Sequence, residues 1–216
     1  MSTKVKICGI TNWTDAKLAM DAGANALGFN FYPKSSRFIS LGEARQIRRR
    51  MPANMEAVGV FVNASVEEVD EVGLEADLLG VQLHGEEPPE VAEALADFYV
   101  VIKAFRVGPQ FSLEHLKAYR RDADFLLDGF AEDERGGTGE SFDWSVAREA
   151  KKLLRPKFEL YLAGGLTAEN VCAAIHQARP HWVDVCSGIE SSPGTKDAAK
   201  LRAFLEEVRL ADRKPS

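Results

Sequence analysis

The sequence is short of cysteine. Only Cys8, Cys172 and Cys186 occur in 216 residues, and no two stand at CxxC spacing. That excludes a disulfide framework and a zinc knuckle, and it suits a reducing compartment. Basic residues are not in excess either: 27 Lys and Arg face 33 Asp and Glu, for a net charge of −6. A nucleic-acid binder shows a basic surplus or stripe, so no nucleic acid is expected as a partner. The one basic run, Arg48-Arg49-Arg50, closes a helix-like segment and reads as the complement of a helix C-terminus. No apolar run approaches the ~20 residues of a membrane span, so no membrane is expected either. Met1 to Lys4 lead straight into strand-like sequence without the apolar core of a signal peptide, and the expected location is the cytoplasm. His84, His115, His176 and His181 stand in unrelated segments, so no metal is expected. The glycine-rich GxGxxG turn of a dinucleotide-binding sheet is missing too, since the first turn reads Cys8-Gly9-Ile10-Thr11-Asn12.

What is present is a rhythm. Strand-like apolar runs occur at Val5–Cys8, Ala26–Asn30, Ala57–Val62, Leu79–His84, Val100–Ala104, Phe125–Asp128, Leu160–Ala163 and Val183–Ser187. Helix signals fill the intervals. Ser40-Leu41-Gly42-Glu43 and Ser65-Val66-Glu67-Glu68 are capping boxes. Pro88-Pro89 suits a helix start, Gly23 a helix end, and Asp143 and Thr167 are candidate N-caps. Val171, Ala174, Ile175 and Ala178, and again Leu201, Phe204, Leu205 and Val208, recur at helical spacing. Strand alternating with helix eight times allows a (β/α)8 TIM barrel or a doubly wound open sheet, and the pattern favours the barrel. No stretch reads as a linker, so residues 1–216 are expected to form a single (β/α)8 barrel domain.

Side chains alternate along a strand. On most runs one face is apolar throughout, and helices must cover it. The other face then points into the barrel, carrying Lys6, Gln82, Lys103, Glu159 and Asp184. Buried charges persist when paired, so Lys6 and Asp184 are expected to meet where the first and last strands adjoin. The same parity aims Cys8, His84 and Asp128 inward at the C-terminal ends of their strands, the end at which barrels of this class carry their chemistry.

Each candidate has a plain structural alternative. Cys8 alone reads as a core cysteine and Asp128 alone as a turn residue. Together, at the mouths of two inward-facing strands, they form an acid/base couple. Gly164-Gly165, after the seventh strand, and Ser187-Gly188, after the eighth, suit a phosphate, because glycine admits close backbone approach. Arg37, in the long loop after the second strand, carries a fork suited to a carboxylate. Arg135-Gly136-Gly137-Thr138-Gly139 reads as a mobile lid or as a surface loop.

Several motifs coincide with one family. Lys6-Ile7-Cys8-Gly9-Ile10-Thr11, Leu27-Gly28-Phe29, Ser35 to Ile39, Gln82-Leu83-His84-Gly85, Leu127-Asp128, Gly136-Gly137-Thr138-Gly139, Leu162-Ala163-Gly164-Gly165-Leu166, and Val183-Asp184-Val185 with Ser187-Gly188-Ile189-Glu190 resemble the phosphoribosylanthranilate isomerases of tryptophan biosynthesis. The resemblance implies a cofactor-free Amadori rearrangement on a (β/α)8 barrel, acting on a small phosphorylated substrate. It implies Asp128 as general acid and Cys8 as general base. It sets Arg37 against the anthranilate carboxylate and gives Gly164, Gly165, Ser187 and Gly188 to the phosphate. His84, Gly137 and Gly139 complete the candidate substrate contacts. A monomer and a homodimer are both compatible.

Ser36 and Ala168 stand where the family often has proline, and Cys186 where serine is common. Glu132-Asp133-Glu134 makes the lid unexpectedly acidic beside an anionic substrate. Two other readings stay open. One is an aminoaldose isomerase of the histidine-pathway type, which would use two aspartates where this chain has Cys8 and Asp128. The other is a catalytically silent phosphate-binding protein.

Overall fold

The computed structural model describes residues 2–129 and 143–213. Eight parallel strands close into a barrel: β1 (Lys4–Ile7), β2 (Ala26–Asn30), β3 (Glu56–Phe61), β4 (Gly80–Leu83), β5 (Val100–Val107), β6 (Asp124–Gly129), β7 (Leu160–Leu162) and β8 (Trp182–Val185). Each expected strand is found within a few residues of its place. The helices are α1 (Trp13–Ala22), α2 (Leu41–Arg48), α3 (Val66–Glu75), α4 (Pro89–Leu95), the short α5 (Glu114–Lys117), α6 (Ser145–Leu153), α7 (Val171–Ala178) and α8 (Ala198–Arg213). No described helix is long and apolar enough to cross a membrane.

Local chemistry explains the ends. Both capping boxes form, Ser40 with Glu43 and Ser65 with Glu68. Gly23 takes the left-handed conformation (φ 101°) that closes α1. Asp143 accepts from the Ser145 amide at the start of α6. Thr167 does not cap its helix: α7 begins only at Val171, and Asn170 bridges the loop instead. Its Oδ1 accepts from the Thr167 amide, and its Nδ2 donates to the Gly165 carbonyl, both at 2.8 Å. The basic run closes α2 as expected, with Arg48 in its last turn and Arg49 at its C-cap. Arg48 reaches Asp77, and Arg50 covers the Trp13 ring at 3.9 Å.

Two apolar layers flank the barrel wall. The outer one joins Ile7, Leu27, Phe29, Leu83, Phe125, Leu127 and Val185 to the helices. The inner one packs Ala26, Val58, Ile102, Ala104, Leu126, Tyr161 and Trp182, with Tyr161 stacked on Trp182 at 5.0 Å. Ile102 and Ala104 point inward, so Lys103 does not, contrary to the expected parity. It lies behind the wall, 3% exposed, where its ammonium meets Glu87 at 2.9 Å. Glu159 sits at the N-terminal mouth, bonded to Lys4 and to the Trp182 indole, rather than in a central layer.

A small antiparallel pair, β9 (Glu190–Ser192) and β10 (Thr195–Lys196), follows a 3₁₀ turn at Ser187–Ile189. It folds back over the C-terminal mouth and carries Glu190 and Lys196 into buried positions.

Candidate active site

The first and last strands align Lys6 with Asp184 and Ile7 with Val185, and the Cys8 amide donates to the Val185 carbonyl at 2.9 Å. This register brings Lys6 Nζ to Asp184 Oδ2 at 2.9 Å, the expected closing pair. The same ammonium donates to Gln82 Oε1 at 2.9 Å. Gln82 and His84 share a face of β4 and its extension, and Gln82 Nε2 lies 2.7 Å from His84 Nδ1. Because Gln82 Oε1 accepts from Lys6, its amide nitrogen is the donor to Nδ1. The network therefore assigns the ring proton to His84 Nε2, which faces Asp128 Oδ2 at 3.3 Å. One hydrogen-bonded run thus leads from Asp184 through Lys6 and Gln82 to His84, whose ring faces Asp128.

Cys8 lies beside the charged end of that run. A side chain at Gly28 on β2 would lie 3.1 Å from Lys6 Nζ and 3.0 Å from Cys8 Sγ, so it would crowd both groups. The Cys8 thiol is held well below the ordinary range. A hydrogen bond from Cys186 does most, and the charges of Lys6 and Lys196 add to it against the cost of burial. Burial opposes the Lys6 charge, but Asp184 and Cys8 outweigh it and keep the ammonium protonated. Burial pushes the Asp184 carboxyl up to about 7. Its Oδ1 has no hydrogen-bond partner among the described residues.

Arg37 reaches the same mouth. The loop after β2 folds back on that strand: the Ile39 amide donates to the Asn30 carbonyl, and Ser35 Oγ accepts from Asn30 Nδ2 and from the Arg37 amide. The guanidinium meets Glu190 through Nε and Nη2, the shortest contact being 2.7 Å. Its Nη1 has no hydrogen-bond partner among the described residues. Lys196 holds Glu190 from the other side at 2.8 Å. Burial works against the Glu190 carboxylate, but Arg37 and Lys196 keep it below the usual range.

The two glycine loops border this mouth. Gly164 (φ 86°) and Gly165 (φ 61°) take left-handed conformations open to few other residues. A side chain at Gly164 would overlap the Gly129 amide and lie 2.9 Å from Asp128 Oδ1. One at Gly188 would overlap the Leu166 carbonyl, so the loops after β7 and β8 pack backbone to backbone. Ser187 and Gly188 lie in the 3₁₀ turn.

Cys8, Asp128, Arg37, His84, Gly164, Gly165, Ser187 and Gly188 therefore belong to the loops and strand ends at one end of the barrel. Gly137 and Gly139, with Arg135, Thr138 and the acidic Glu132, Asp133 and Glu134, lie outside the described residues. Among the described residues no group of three His, Cys, Asp or Glu is arranged to hold a metal ion. The sequence reading missed Glu87, Glu190 and Lys196. Glu87 takes Lys103 and the Asn63 and Gly85 amides, and so braces the turn that presents His84. Glu190 stood in the motif Ser187-Gly188-Ile189-Glu190 without a role assigned to it, and nothing in the sequence pointed to Lys196.

Residues 5–207 match the family described as N-(5'-phosphoribosyl)anthranilate (PRA) isomerase. The N-(5'-phosphoribosyl)anthranilate isomerase of Trichlorobacter lovleyi is 46% identical over 208 residues, covering 96% of this chain and 98% of that protein. A crystal structure of phosphoribosyl anthranilate isomerase in complex with reduced 1-(o-carboxyphenylamino)-1-deoxyribulose 5-phosphate superposes with TM-score 0.85 at 41% identity, over 96% of this chain and 98% of its own. A structure of monomers generated from the dimeric phosphoribosylanthranilate isomerase of Thermotoga maritima gives TM-score 0.85 at 40% identity, with the same coverage.

Proposed function

The chain belongs to the N-(5'-phosphoribosyl)anthranilate isomerase family, and from that premise we propose how its own residues divide the reaction. The enzyme serves tryptophan biosynthesis. It converts N-(5'-phosphoribosyl)anthranilate, an aldose, to 1-(2-carboxyphenylamino)-1-deoxyribulose 5-phosphate, a ketose.

Asp128 is the general acid. Its Oδ2 faces the His84 ring, so the transferable proton sits on Oδ1, the oxygen beside Gly164. That proton goes to the furanose ring oxygen as the C1–O bond breaks and the Schiff base forms. Cys8, as thiolate, then removes the proton from ribose C2, and the electron pair moves toward the Schiff-base nitrogen to give an enolamine. Protonation at C1 and loss of the C2 hydroxyl proton produce the ketone and return acid and base to their starting states. Arg37 receives the anthranilate carboxylate through its remaining nitrogen. Gly164, Gly165, Ser187 and Gly188 receive the phosphate, and His84, Gly137 and Gly139 complete the substrate contacts.

The observation that carries this reading is the hydrogen-bonded run from Asp184 through Lys6 and Gln82 to His84, with Cys8 beside its cationic end and Asp128 facing the His84 ring at 3.3 Å. The test is turnover of freshly made phosphoribosylanthranilate, followed by its fluorescence. Cys8→Ala and Asp128→Asn should each lose about 10²- to 10⁴-fold in kcat, the usual size of an acid or base contribution, while still binding product. Near-normal turnover in either variant contradicts its role.

The partner is a small phosphorylated molecule rather than nucleic acid or membrane, and the chain acts as a monomer or homodimer, the second supported by the dimeric Thermotoga relative. We place it in the cytoplasm, because a working thiolate needs reducing surroundings.

A further inference from the structure

Cys8, Cys172 and Cys186 are all free thiols. Cys172 lies on α7, packed against the helix layer. The other two are neighbours. Val5, Lys6 and Ile7 pair in register with Val183, Asp184 and Val185, the Cys8 amide donates to the Val185 carbonyl, and Cys8 and Cys186 are the next residue of each strand's chain. Residues in register on adjacent parallel strands point the same way, with their Cα atoms about 4.8 Å apart. A disulfide spans roughly 4.4–6.8 Å between Cα atoms. Glycine makes room on both sides: a side chain at Gly28 would lie 3.0 Å from Cys8 Sγ, and one at Gly9 would lie 2.9 Å from Cys186 Sγ. Both cysteines are half-buried at the barrel mouth.

We propose that Cys8 and Cys186 are a modification site: a hydroperoxide at the barrel mouth converts them to a reversible disulfide that switches catalysis off. The Cys8 thiolate attacks one peroxide oxygen. The S–O bond forms, the O–O bond breaks, and the leaving oxygen takes a proton, giving water from hydrogen peroxide and a sulfenic acid on Cys8. The Cys186 thiolate then attacks that sulfur. The S–S bond forms, the S–O bond breaks, and hydroxide departs with a proton as a second water. The two sulfurs together lose two electrons, and the peroxide gains them.

The surroundings favour both steps. In the reduced protein the hydrogen bond between the two sulfurs lowers the Cys8 thiol and raises that of Cys186. Once the Cys8 sulfur is oxidised, its negative charge no longer opposes ionisation of Cys186. The Cys186 sulfur stands 3.8 Å from the Lys196 ammonium, a setting that favours the thiolate. The carboxylate of Glu190, 3.7 Å from the same sulfur, is already engaged by Lys196 and Arg37.

Formation of the disulfide depends only on where the two sulfurs stand. Its effect on turnover rests on Cys8 being the general base. The test treats the full chain with hydrogen peroxide, blocks remaining thiols, maps peptides by mass, and measures turnover before and after dithiothreitol. The expected result is a linked peptide joining positions 8 and 186, with turnover lost in proportion to the linked fraction and regained on reduction. Cys172→Ser should behave as the parent. Cys186→Ser should be inactivated without recovery, its Cys8 carried to the sulfinic acid. Inactivation with no 8–186 peptide, or full recovery of Cys186→Ser, overturns the disulfide. A linked peptide with undiminished turnover overturns the switch, and with it the role of Cys8 as base.

Discussion

Lys6 has no contact with solvent and two polar partners, Gln82 and Asp184. Its charge therefore acts on Cys8 through protein rather than water, where screening is weak. Asp128 lies beyond Gln82, facing the His84 ring, so the two reacting groups meet different electrostatic surroundings. The candidates themselves were legible because alternation along a strand is local: Cys8, His84 and Asp128 follow from parity alone. Their supports were not. Glu190 reaches Arg37 across 153 positions and Glu87 reaches Lys103 across 16, and nothing in a local pattern announces such partners. Arg37 makes a prediction at this scale. Arg37→Lys keeps the charge but loses the fork that bonds Glu190 and substrate together. A lost charged hydrogen bond costs about 1.5–3 kcal/mol, so KM should rise on the order of tenfold or more, with kcat less affected. Steady-state kinetics check this, and an unchanged KM with a fallen kcat would remove Arg37 from the substrate carboxylate.

Among the elements, strands were easier to read than the polar layer between them. All eight appeared as apolar runs, and the capping boxes marked the starts of α2 and α3. Lys103 was misread because a lone polar residue in a strand looks like an inward one. Here the outer layer accepts it, since Glu87 and two backbone carbonyls neutralise and satisfy it behind the wall. Thr167 was misread because Asn170, three residues on, ties the loop first. The N-terminal ends of the strands carry a consequence of their own. Asp124 opens β6 buried near Glu56 and Glu159, and burial pushes its carboxyl up to about 7. An unfolded aspartate titrates near about 3.9. Between those values the folded chain holds the extra proton, so stability falls as pH rises from about 4 to about 7. Asp124→Asn removes the penalty. It should raise Tm near pH 8 by about 2–4 °C for each ~1 kcal/mol relieved, with the gain vanishing near pH 4. Thermal unfolding at the two pH values measures it, and an equal gain at both would mean that the Asp124 charge is not the cause.

For the molecule as a whole, closure of the barrel joins the two ends of the chain into one site. Lys6 and Cys8 come from the first strand and its turn, Asp184 and Cys186 from the last, and the register of β1 on β8 makes them neighbours. The overall charge of −6 does not attract an anionic substrate. Attraction must be local, from Arg37 and from the backbone amides of the two glycine loops. The central claim is that Cys8 reacts as a thiolate kept ionised by these neighbours. The measurement that meets it most directly is the pH dependence of Cys8 alkylation, followed by peptide mass, laid over that of kcat/KM. Cys8 loses its function as pH falls through its own ionisation, so both profiles should fall together, at a pH well below that of an ordinary thiol. Full activity at a pH where Cys8 is already protonated, or a Cys8 that ionises like a free thiol, would contradict it.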